Sequence, residues 1–297
     1  MGASAAIAAT PTADTPRAVV ILGMHRSGTS LTASLLGGAG VDLGPRLLGA
    51  NRGNVRGHFE DLDFQELQAI ALEGWGIGEA GFTCQPALRL PTLLRSRAER
   101  LVADRLAAGR IWGWKDPRTV LFLEDWNDLL PDAAHVVVFR RPWEVVDSLY
   151  RRGDDPFAVN PSFAIAVWLH YNRTLLNFTR RFPDRCVVLE VSQIAADPPL
   201  ACRTIRERLG VAIGDPPAVF EERLLRVDLP VERAALVAEL SPQAIETYLR
   251  LREQAGSTSP LPDLPTPERR RADLEREICR WAEDARAGGA DAGRDAA

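Results

Sequence analysis

The sequence predicts an α/β fold built on a parallel sheet. From Ala18 onward, short apolar runs alternate with longer stretches of helical periodicity, the order expected when helices connect parallel strands. The first run, residues 19–22, leads through a glycine-bounded loop directly into a helix-patterned segment. At 297 residues, the chain is long enough for one large core with appendages.

The same pattern places the individual elements. Strands are predicted near residues 18–22, 111–114, 134–139 and 186–191. Helices are predicted near residues 29–38, 60–74, 91–108, 118–130, 142–152, 162–181, 198–209 and 241–255. Residues 1–16, rich in Ala, Thr and Pro, are expected to be disordered, and the α/β domain to span residues 17–255.

The C-terminal part follows a different pattern. A proline-rich linker is predicted over residues 256–267, an amphipathic helix over 268–287 and a disordered tail over 288–297. The apolar stripe of that helix consists of Leu274, Ile278, Trp281 and Ala285. We expect this stripe to pack on the domain itself or on a partner chain.

Composition excludes several classes of protein. Hydrophobic residues make up 46% and charged residues 26%, as in ordinary globular proteins, and the net charge of −4 argues against nucleic-acid binding. The four cysteines lie far apart without metal-like spacing, as is typical of reduced thiols. Since neither a signal peptide nor an apolar run of about 18 residues is present, we expect a cytoplasmic protein without a membrane span.

The glycine-bounded loop is the first candidate site. Gly23, four residues and Gly28 match the glycine half of a Walker A loop, but Thr29 stands where a nucleotide triphosphatase has lysine. A cation lies inside the loop instead, at Arg26, and Thr29 and Ser30 add hydroxyl donors at the helix N-terminus. The loop therefore suits a phosphate-like group rather than the β/γ pair of ATP; a tight turn that binds nothing is the alternative.

Two further strand ends present cations. Arg140 ends a predicted strand, and Ser148 lies about two turns into the helix that begins at Pro142. Lys115 ends another strand and is the single lysine among 36 Lys and Arg residues, which suggests that arginine does not serve there. Arg118 follows in the first turn of a helix, where a bound anion would offset its unfavourable position. A surface arginine pair with a solvated serine, and chance survival of the lysine, are the respective alternatives.

A fourth segment carries candidate proton acceptors. Glu60, or else His58, could act as a general base beside this cleft and take the proton of an attacking hydroxyl. The alternative is structural, because Glu60, Asp61 and Asp63 begin a predicted helix, where carboxylates are favoured by the helix dipole.

Together these motifs resemble the sulfotransferase superfamily. The segment Gly23-Met-His-Arg-Ser-Gly-Thr-Ser30 is similar to the family's 5′-phosphosulfate loop, and Arg140 with Ser148, eight residues apart, to its 3′-phosphate motif. Residues 57–61 and 114–119 are similar to segments of bacterial members, and the resemblance spans about residues 18–212. It implies a three-layer, P-loop-like architecture with a parallel sheet flanked by helices, to which the residue pattern adds a helical C-terminal extension.

The resemblance also implies the reaction. The expected donor is 3′-phosphoadenosine 5′-phosphosulfate, no metal ion is expected, and the acceptor is a hydroxyl, with a glycan favoured by family analogy. The expected catalytic residues are Arg26, Glu60, His58 and Lys115. The residues expected to hold the donor are Gly23, His25, Arg26, Ser27, Gly28, Thr29, Ser30, Arg118, Arg140 and Ser148.

The sequence also departs from the family pattern. Arg26 replaces the lysine common in cytosolic members, and no Arg-Lys-Gly-x-x-Gly segment follows near the C-terminus, so another part of the chain must complete the 3′-phosphate site. No separate histidine motif between the two phosphate sites matches that of cytosolic members, which favours Glu60 as the base. A P-loop kinase or other NTPase, and a non-catalytic nucleotide-binding scaffold, remain as alternatives.

Overall fold

The computed structural model describes residues 18–49, 59–216, 229–262, 264 and 269–292. The predicted disordered N-terminus, residues 1–16, and the candidate base His58 lie outside the described residues. The predictions for these two regions therefore stay predictions.

The sheet is parallel, with the strand order β2-β1-β3-β4. Its strands are β1 (Ala18–Leu22), β2 (Trp112–Lys115), β3 (Ala134–Phe139) and β4 (Cys186–Glu190). In register, Ile21 pairs with Lys115 on one side and with Val136 on the other. The segments that follow β1, β2 and β3 therefore emerge at the same edge of the sheet, where ligands of open α/β folds bind.

Helices connect these strands and extend the fold at its C-terminus. They are α1 (Thr29–Gly38), α2 (Leu62–Gly74), α3 (Thr92–Ala107), α4 (Leu123–Leu129), α5 (Pro142–Arg152), α6 (Asp155–Val159), α7 (Ser162–Arg181), α8 (Val191–Ala196), α9 (Pro198–Leu209), α10 (Val231–Leu240), α11 (Pro242–Ala255) and α12 (Arg271–Ala292). Two 3₁₀ helices, Pro117–Phe122 and Pro183–Arg185, precede α4 and β4.

The elements agree with most of the predicted ones, with three additions. Helices α6, α8 and α10 lie where the sequence pattern indicates none. Two of them, α6 and α8, span only 5 and 6 residues, too short to show a helical period. The helix predicted near residues 118–130 is instead the 3₁₀ helix followed by α4, because Pro117 opens a tight turn that Asp116 caps.

Two apolar clusters cover the two faces of the sheet and produce three layers. On one face, Val19 and Ile21 pack with residues of α1, α8 and α9. On the other face, Val20 and Leu22 pack with most of the remaining helices, including α2, α5 and α7. Alternate residues of β1 therefore serve opposite cores, as buried parallel strands require. The predicted α/β fold with a flanked parallel sheet is confirmed.

Helix α12 packs on the domain itself. Leu274, Ile278 and Trp281 of the predicted stripe are buried, and the Trp281 Nε1 atom donates to Asp147 Oδ1 of α5 at 3.1 Å. The helix continues to Ala292, so residues 288–292 of the predicted disordered tail are helical. Gly289 permits this, since a Cβ there would lie 2.5 Å from the backbone oxygen of Arg151.

The remaining global expectations concern thiols and membranes. None of the four cysteines forms a disulfide; Cys186 and Cys202 are buried, and Cys84 and Cys279 are exposed. Within the described ranges, no helix combines the length and apolar character that crossing a bilayer demands.

Candidate functional site

The loop between β1 and α1 lies tightly against the strand ends. A Cβ on Gly23 would lie 2.5 Å from the backbone oxygen of Val138 in β3. Gly28 has a φ of 90°, and a Cβ there would lie 2.1 Å from Cγ2 of Val191. Both glycines of the predicted loop are therefore required by close packing, and Gly28 also by its left-handed backbone.

The N-terminus of α1 has features of an anion site. Gly28 provides no side-chain cap, and the first turn contains no acidic residue. The Ser27 hydroxyl is fully buried and has no hydrogen-bond partner among the described residues. Thr29 is also buried, whereas Ser30 is half-exposed. A bound anion would supply the Ser27 hydroxyl with an acceptor and would be stabilised by the helix dipole.

The structure brings Arg26, Arg140 and Ser148 together. The Arg26 Nε atom donates to the Ser148 Oγ atom at 2.8 Å, and Arg140 Nη1 lies 3.5 Å from the backbone oxygen of Arg26. Arg140 Nε also donates to Glu144 Oε2 at 2.7 Å. Segments separated by 122 residues in the sequence thus meet at one point, as the two sequence motifs predict.

Four arginines surround this point, and we call Arg26, Arg140, Arg151 and Arg152 the arginine cluster. Burial, reinforced by the charges of Arg152, Arg140 and Arg151, lowers the pKa of Arg26 to about 10. Three carboxylates pair with members of the cluster: Glu144 with Arg140, Asp147 with Arg151 and Asp154 with Arg152. Counted over the part of the chain that the structure describes, these pairs set four cations against three carboxylates, a local balance that favours an anion.

The second group of charges lies beyond β2, and we call Glu60, Lys115, Asp116 and Arg118 the Glu60 cluster. The Lys115 Nζ atom donates to Glu60 Oε1 at 2.8 Å, and Arg118 Nη1 lies 3.4 Å from Glu60 Oε2. Arg118 Nη1 also donates to Asp116 Oδ1 at 2.9 Å. All four residues are at most 7% exposed, so these ion pairs are shielded from water.

Burial and mutual attraction set the charge states of the Glu60 cluster. Burial lowers the pKa of Lys115 despite the neighbouring Glu60, and burial raises the pKa of Asp116. For Arg118, burial acts in the opposite direction but is outweighed by the carboxylates of Asp116 and Glu60, so its pKa is raised. The cluster therefore contains one firmly charged cation and two groups whose charged forms are less favoured than in water.

The Glu60 cluster changes the interpretation of Arg118 and Asp116. Asp116 and Glu60 both offset the unfavourable position of Arg118 at a helix start. Asp116 does more than cap this turn, because its Oδ2 atom also accepts a hydrogen bond from Gln68 Nε2 at 3.0 Å. Gln68 carries no charge and lies within α2, so no residue pattern marks it as part of a site.

One segment connects the loop after β1 to the Glu60 cluster through its backbone carbonyls. His25 Nε2 donates to the Ala80 oxygen at 2.8 Å, and Arg118 Nε donates to the Glu79 oxygen at 2.7 Å. The Tyr171 hydroxyl donates to the Gly81 oxygen at 2.8 Å. Burial, with the nearby charges of Arg152, Arg118 and Lys115, lowers the pKa of His25 well below its usual value, so the imidazole is neutral. Residues 79–81 therefore hold the loop between β1 and α1 and the Glu60 cluster in a fixed relation.

The carboxylates that follow Glu60 stabilise the start of α2, as their position in the sequence suggests. Asp61 caps α2 by accepting from the Asp63 backbone N–H at 3.0 Å, and Arg105 pairs with both aspartates. Burial raises the pKa of Asp61, although Arg105 opposes the shift. Glu60, one residue earlier, is directed instead to Lys115 and Arg118.

Comparison with known proteins is consistent with this arrangement. The model of the sulfotransferase family matches residues 16–215. The fold is similar to the sulfotransferase domain of the Synechococcus PCC 7002 olefin synthase, with 22% identity, a TM-score of 0.50, and coverage of 84% of this chain and 98% of that chain. It is also similar to a sulfotransferase from Alicyclobacillus acidocaldarius, with 15% identity, a TM-score of 0.50, and coverage of 81% and 96%. No curated protein sequence matches the chain.

Proposed function

The chain belongs to the sulfotransferase family, and from this premise we propose that it transfers a sulfuryl group from 3′-phosphoadenosine 5′-phosphosulfate to a hydroxyl oxygen of a carbohydrate. The donor supplies an activated sulfuryl group on its 5′-phosphate. The remaining chemistry consists of binding, charge stabilisation and removal of one proton, and this chain's own side chains can provide all three.

The observation that carries the proposal is the hydrogen bond between Arg26 and Ser148 within the arginine cluster. Arg26 belongs to the loop at the start of α1, and Ser148 to the helix that follows Arg140. A nucleotide with one phosphate on each side of its ribose needs two anion sites held at a fixed separation. We assign Arg140 and Ser148 to the 3′-phosphate and the loop of residues 23–30 to the 5′-phosphosulfate.

Stabilisation of developing charge is assigned to Arg26, the loop N–H groups and Lys115. When the bond between sulfur and the bridging oxygen breaks, negative charge grows on the departing 5′-phosphate. Preorganised cations in a site shielded from water oppose that charge strongly. The proposal gives no role to Mg²⁺, because these side chains supply the positive charge that a triphosphate site obtains from a metal ion.

Removal of the acceptor proton is assigned to Glu60, with His58 as the alternative. As the new bond between the acceptor oxygen and sulfur forms, the hydroxyl proton passes to the base. Lys115 and Arg118 both contact the Glu60 carboxylate, and positive neighbours favour the ionised form that a base must have. Arg118 and Asp116 touch neither phosphate in this assignment and serve to position Glu60.

A calorimetric titration tests the donor. We expect the chain to bind 3′-phosphoadenosine 5′-phosphate more tightly than ATP, and we expect Mg²⁺ to leave this preference unchanged. Tighter binding of ATP in the presence of Mg²⁺ would contradict the proposal and support a kinase or NTPase.

The assignment of a carbohydrate as the acceptor is based on family analogy alone and needs a separate test. Transfer of radiolabelled sulfate from the donor to a panel of glycans and phenols should label the glycans. Labelling of phenols alone would contradict a carbohydrate acceptor but would still support sulfuryl transfer. A chain that binds the desulfated nucleotide but labels nothing would support a nucleotide-binding scaffold.

A further inference from the structure

Glu190 is a buried carboxylate at the C-terminal end of β4, outside the two clusters. It is 1% exposed and pairs in register with Phe139, the residue before Arg140. The Tyr248 hydroxyl donates to Glu190 Oε1 at 2.7 Å, and the Ser257 hydroxyl donates to Glu190 Oε2. A carboxylate this deeply buried is costly unless it is fully paired, so its partners indicate what it holds in place.

From Glu190, charges of alternating sign lead to the arginine cluster. Arg141 Nε lies 3.8 Å from Glu190 Oε1, and Arg141 Nη1 lies 3.5 Å from Glu144 Oε1. The other oxygen of Glu144 accepts from Arg140 Nε at 2.7 Å. Arg141 thus occupies the position between two carboxylates, and one of them orients the Arg140 guanidinium.

The C-terminal region is attached to this series of charges. Arg141 Nη2 donates to the Pro260 oxygen at 2.7 Å, and Arg252 Nη2 donates to the Ser257 oxygen at 3.1 Å. We call residues 257–260 the C-terminal strap. The strap lies within the predicted linker and beyond residue 215, where the match to the family model ends. Its contacts therefore lie outside the part of the chain that the family model matches.

We propose that Glu190 is a positioning residue for the donor site. It fixes Arg141 between itself and Glu144 and binds the C-terminal strap, and Glu144 in turn holds Arg140 where the 3′-phosphate is assigned. The inference rests on the proposed function, because it concerns recognition of the 3′-phosphate. Without the Glu190 charge, Arg141 would move toward Glu144, and the Arg140 guanidinium would lose its fixed orientation.

The test compares nucleotides with and without a 3′-phosphate. Glu190→Gln removes the charge but keeps the shape; its amide oxygen can accept from one of the Tyr248 and Ser257 hydroxyls, and its NH2 group can donate to the other. Calorimetry should show that this variant binds 3′-phosphoadenosine 5′-phosphate about tenfold more weakly, a coupling in the range known for residues without ligand contact. Its affinity for AMP should match that of the unmodified chain.

Two further variants complete the experiment. Glu246→Gln is the matched control, because Glu246 is an exposed residue of α11 that pairs with Arg250 at 2.6 Å, and it should change neither affinity. Tyr248→Phe removes one hydrogen bond to Glu190 and serves as the test if Glu190→Gln fails to fold. It should weaken the binding of 3′-phosphoadenosine 5′-phosphate relative to that of AMP, as Glu190→Gln does.

The outcomes separate a positioning role from a structural one. Equal weakening of both nucleotides, or no weakening of either, would overturn the role of Glu190. Failure of the unmodified chain to bind 3′-phosphoadenosine 5′-phosphate would overturn the proposed function and this inference with it. If the unmodified chain binds 3′-phosphoadenosine 5′-phosphate and the variants keep the same ratio of affinities for this nucleotide and AMP, only the inference about Glu190 is overturned.

Discussion

The arginine cluster and the Glu60 cluster lie at the same edge of the sheet but differ in their balance of charge. The arginine cluster has four cations and three paired carboxylates. The Glu60 cluster has two cations and two carboxylates, all within one buried network. An excess of cations suits the binding of an anion, whereas a balanced network suits the movement of a proton.

The difference suggests a division of labour between binding and chemistry. Arg140 and Ser148 lie on the segment after β3, whereas Lys115 ends β2 and Arg118 follows it. The loop after β1 lies near both, since Arg26 donates to Ser148 and the charges of Arg118 and Lys115 act on His25. If the division holds, variants of the two clusters will affect different constants, and the following predictions test this from the largest expected effect to the smallest.

Glu60→Gln should have the largest effect. Loss of the base should lower kcat by about 10²–10⁴-fold, measured as sulfate transfer at saturating donor. Glu66→Gln is the matched control, since Glu66 is an exposed residue of α2 that pairs with Arg46 at 3.2 Å. Activity of Glu60→Gln at the control's level would move the role of base to His58 or another group.

Arg26→Ala should have the next largest effect. Removing one preorganised cation from the departing phosphate should lower kcat/KM by about 10²–10³-fold. Arg26→Lys keeps the positive charge and matches the residue common in cytosolic members, so it should retain most of the activity. If Arg26→Ala and Arg26→Lys behave alike, the charge of Arg26 has no part in catalysis.

Lys115→Arg tests why a single lysine is present. The broad guanidinium must fit where the ammonium is 1% exposed and 2.8 Å from Glu60. Overpacking of this kind should lower the free energy of unfolding by about 1–3 kcal/mol, measured by urea denaturation. Arg110→Lys, at an exposed position, should leave it unchanged. Unaltered stability and activity in Lys115→Arg would mean that the lysine survived by chance.

The smallest expected effect concerns pH. Burial, with the Arg185 charge, lowers the pKa of His135 from 6.5 to about 3, and the pKa of His25 is also lowered. Below pH 6.5 the unfolded chain binds protons at these histidines that the folded chain does not bind. Their contribution to the free energy of unfolding is therefore complete above pH 6.5 and is lost as the pH falls from 6.5 toward 3. At pH 6 each of these histidines should lower the free energy of unfolding by about 1 kcal/mol, which corresponds to a decrease in Tm of roughly 2–4 °C.

Histidine variants separate the two contributions to this pH effect. The decline in Tm between pH 7 and pH 5 should be shallower in His135→Asn, a position remote from both clusters, and in His25→Asn, a position between them. An unchanged slope in His25→Asn would mean that burial and the neighbouring charges do not keep His25 neutral in the folded chain.

The sequence was most informative where chemistry and backbone geometry coincide. Gly23, Gly28 and Arg26 mark the loop because only certain residues fit its packing and charge. The meeting of Arg140 and Ser148 with this loop could be expected, because the C-terminal ends of parallel strands share one edge. The bounds of β1, β3 and α1 follow from clear periodicity.

The sequence was least informative where contacts use the backbone or distant partners. Residues 79–81 hold three side chains through carbonyl oxygens, which every residue possesses, so no residue type reveals them. The partners of Arg118 could not be identified either. Glu60 is 58 residues away in the sequence, and a bound anion would explain the same charge. Glu190 reads as the last residue of a strand until its contacts with Tyr248 and Ser257 are seen.

The most direct test is a calorimetric titration of 3′-phosphoadenosine 5′-phosphate into the unmodified chain, Arg26→Ala and Glu60→Gln, side by side. The division of labour predicts that Arg26→Ala binds at least tenfold more weakly, as loss of a charged hydrogen bond would cause. It predicts that Glu60→Gln binds as tightly as the unmodified chain. Equal loss of affinity in both variants, or full affinity in Arg26→Ala, would contradict it.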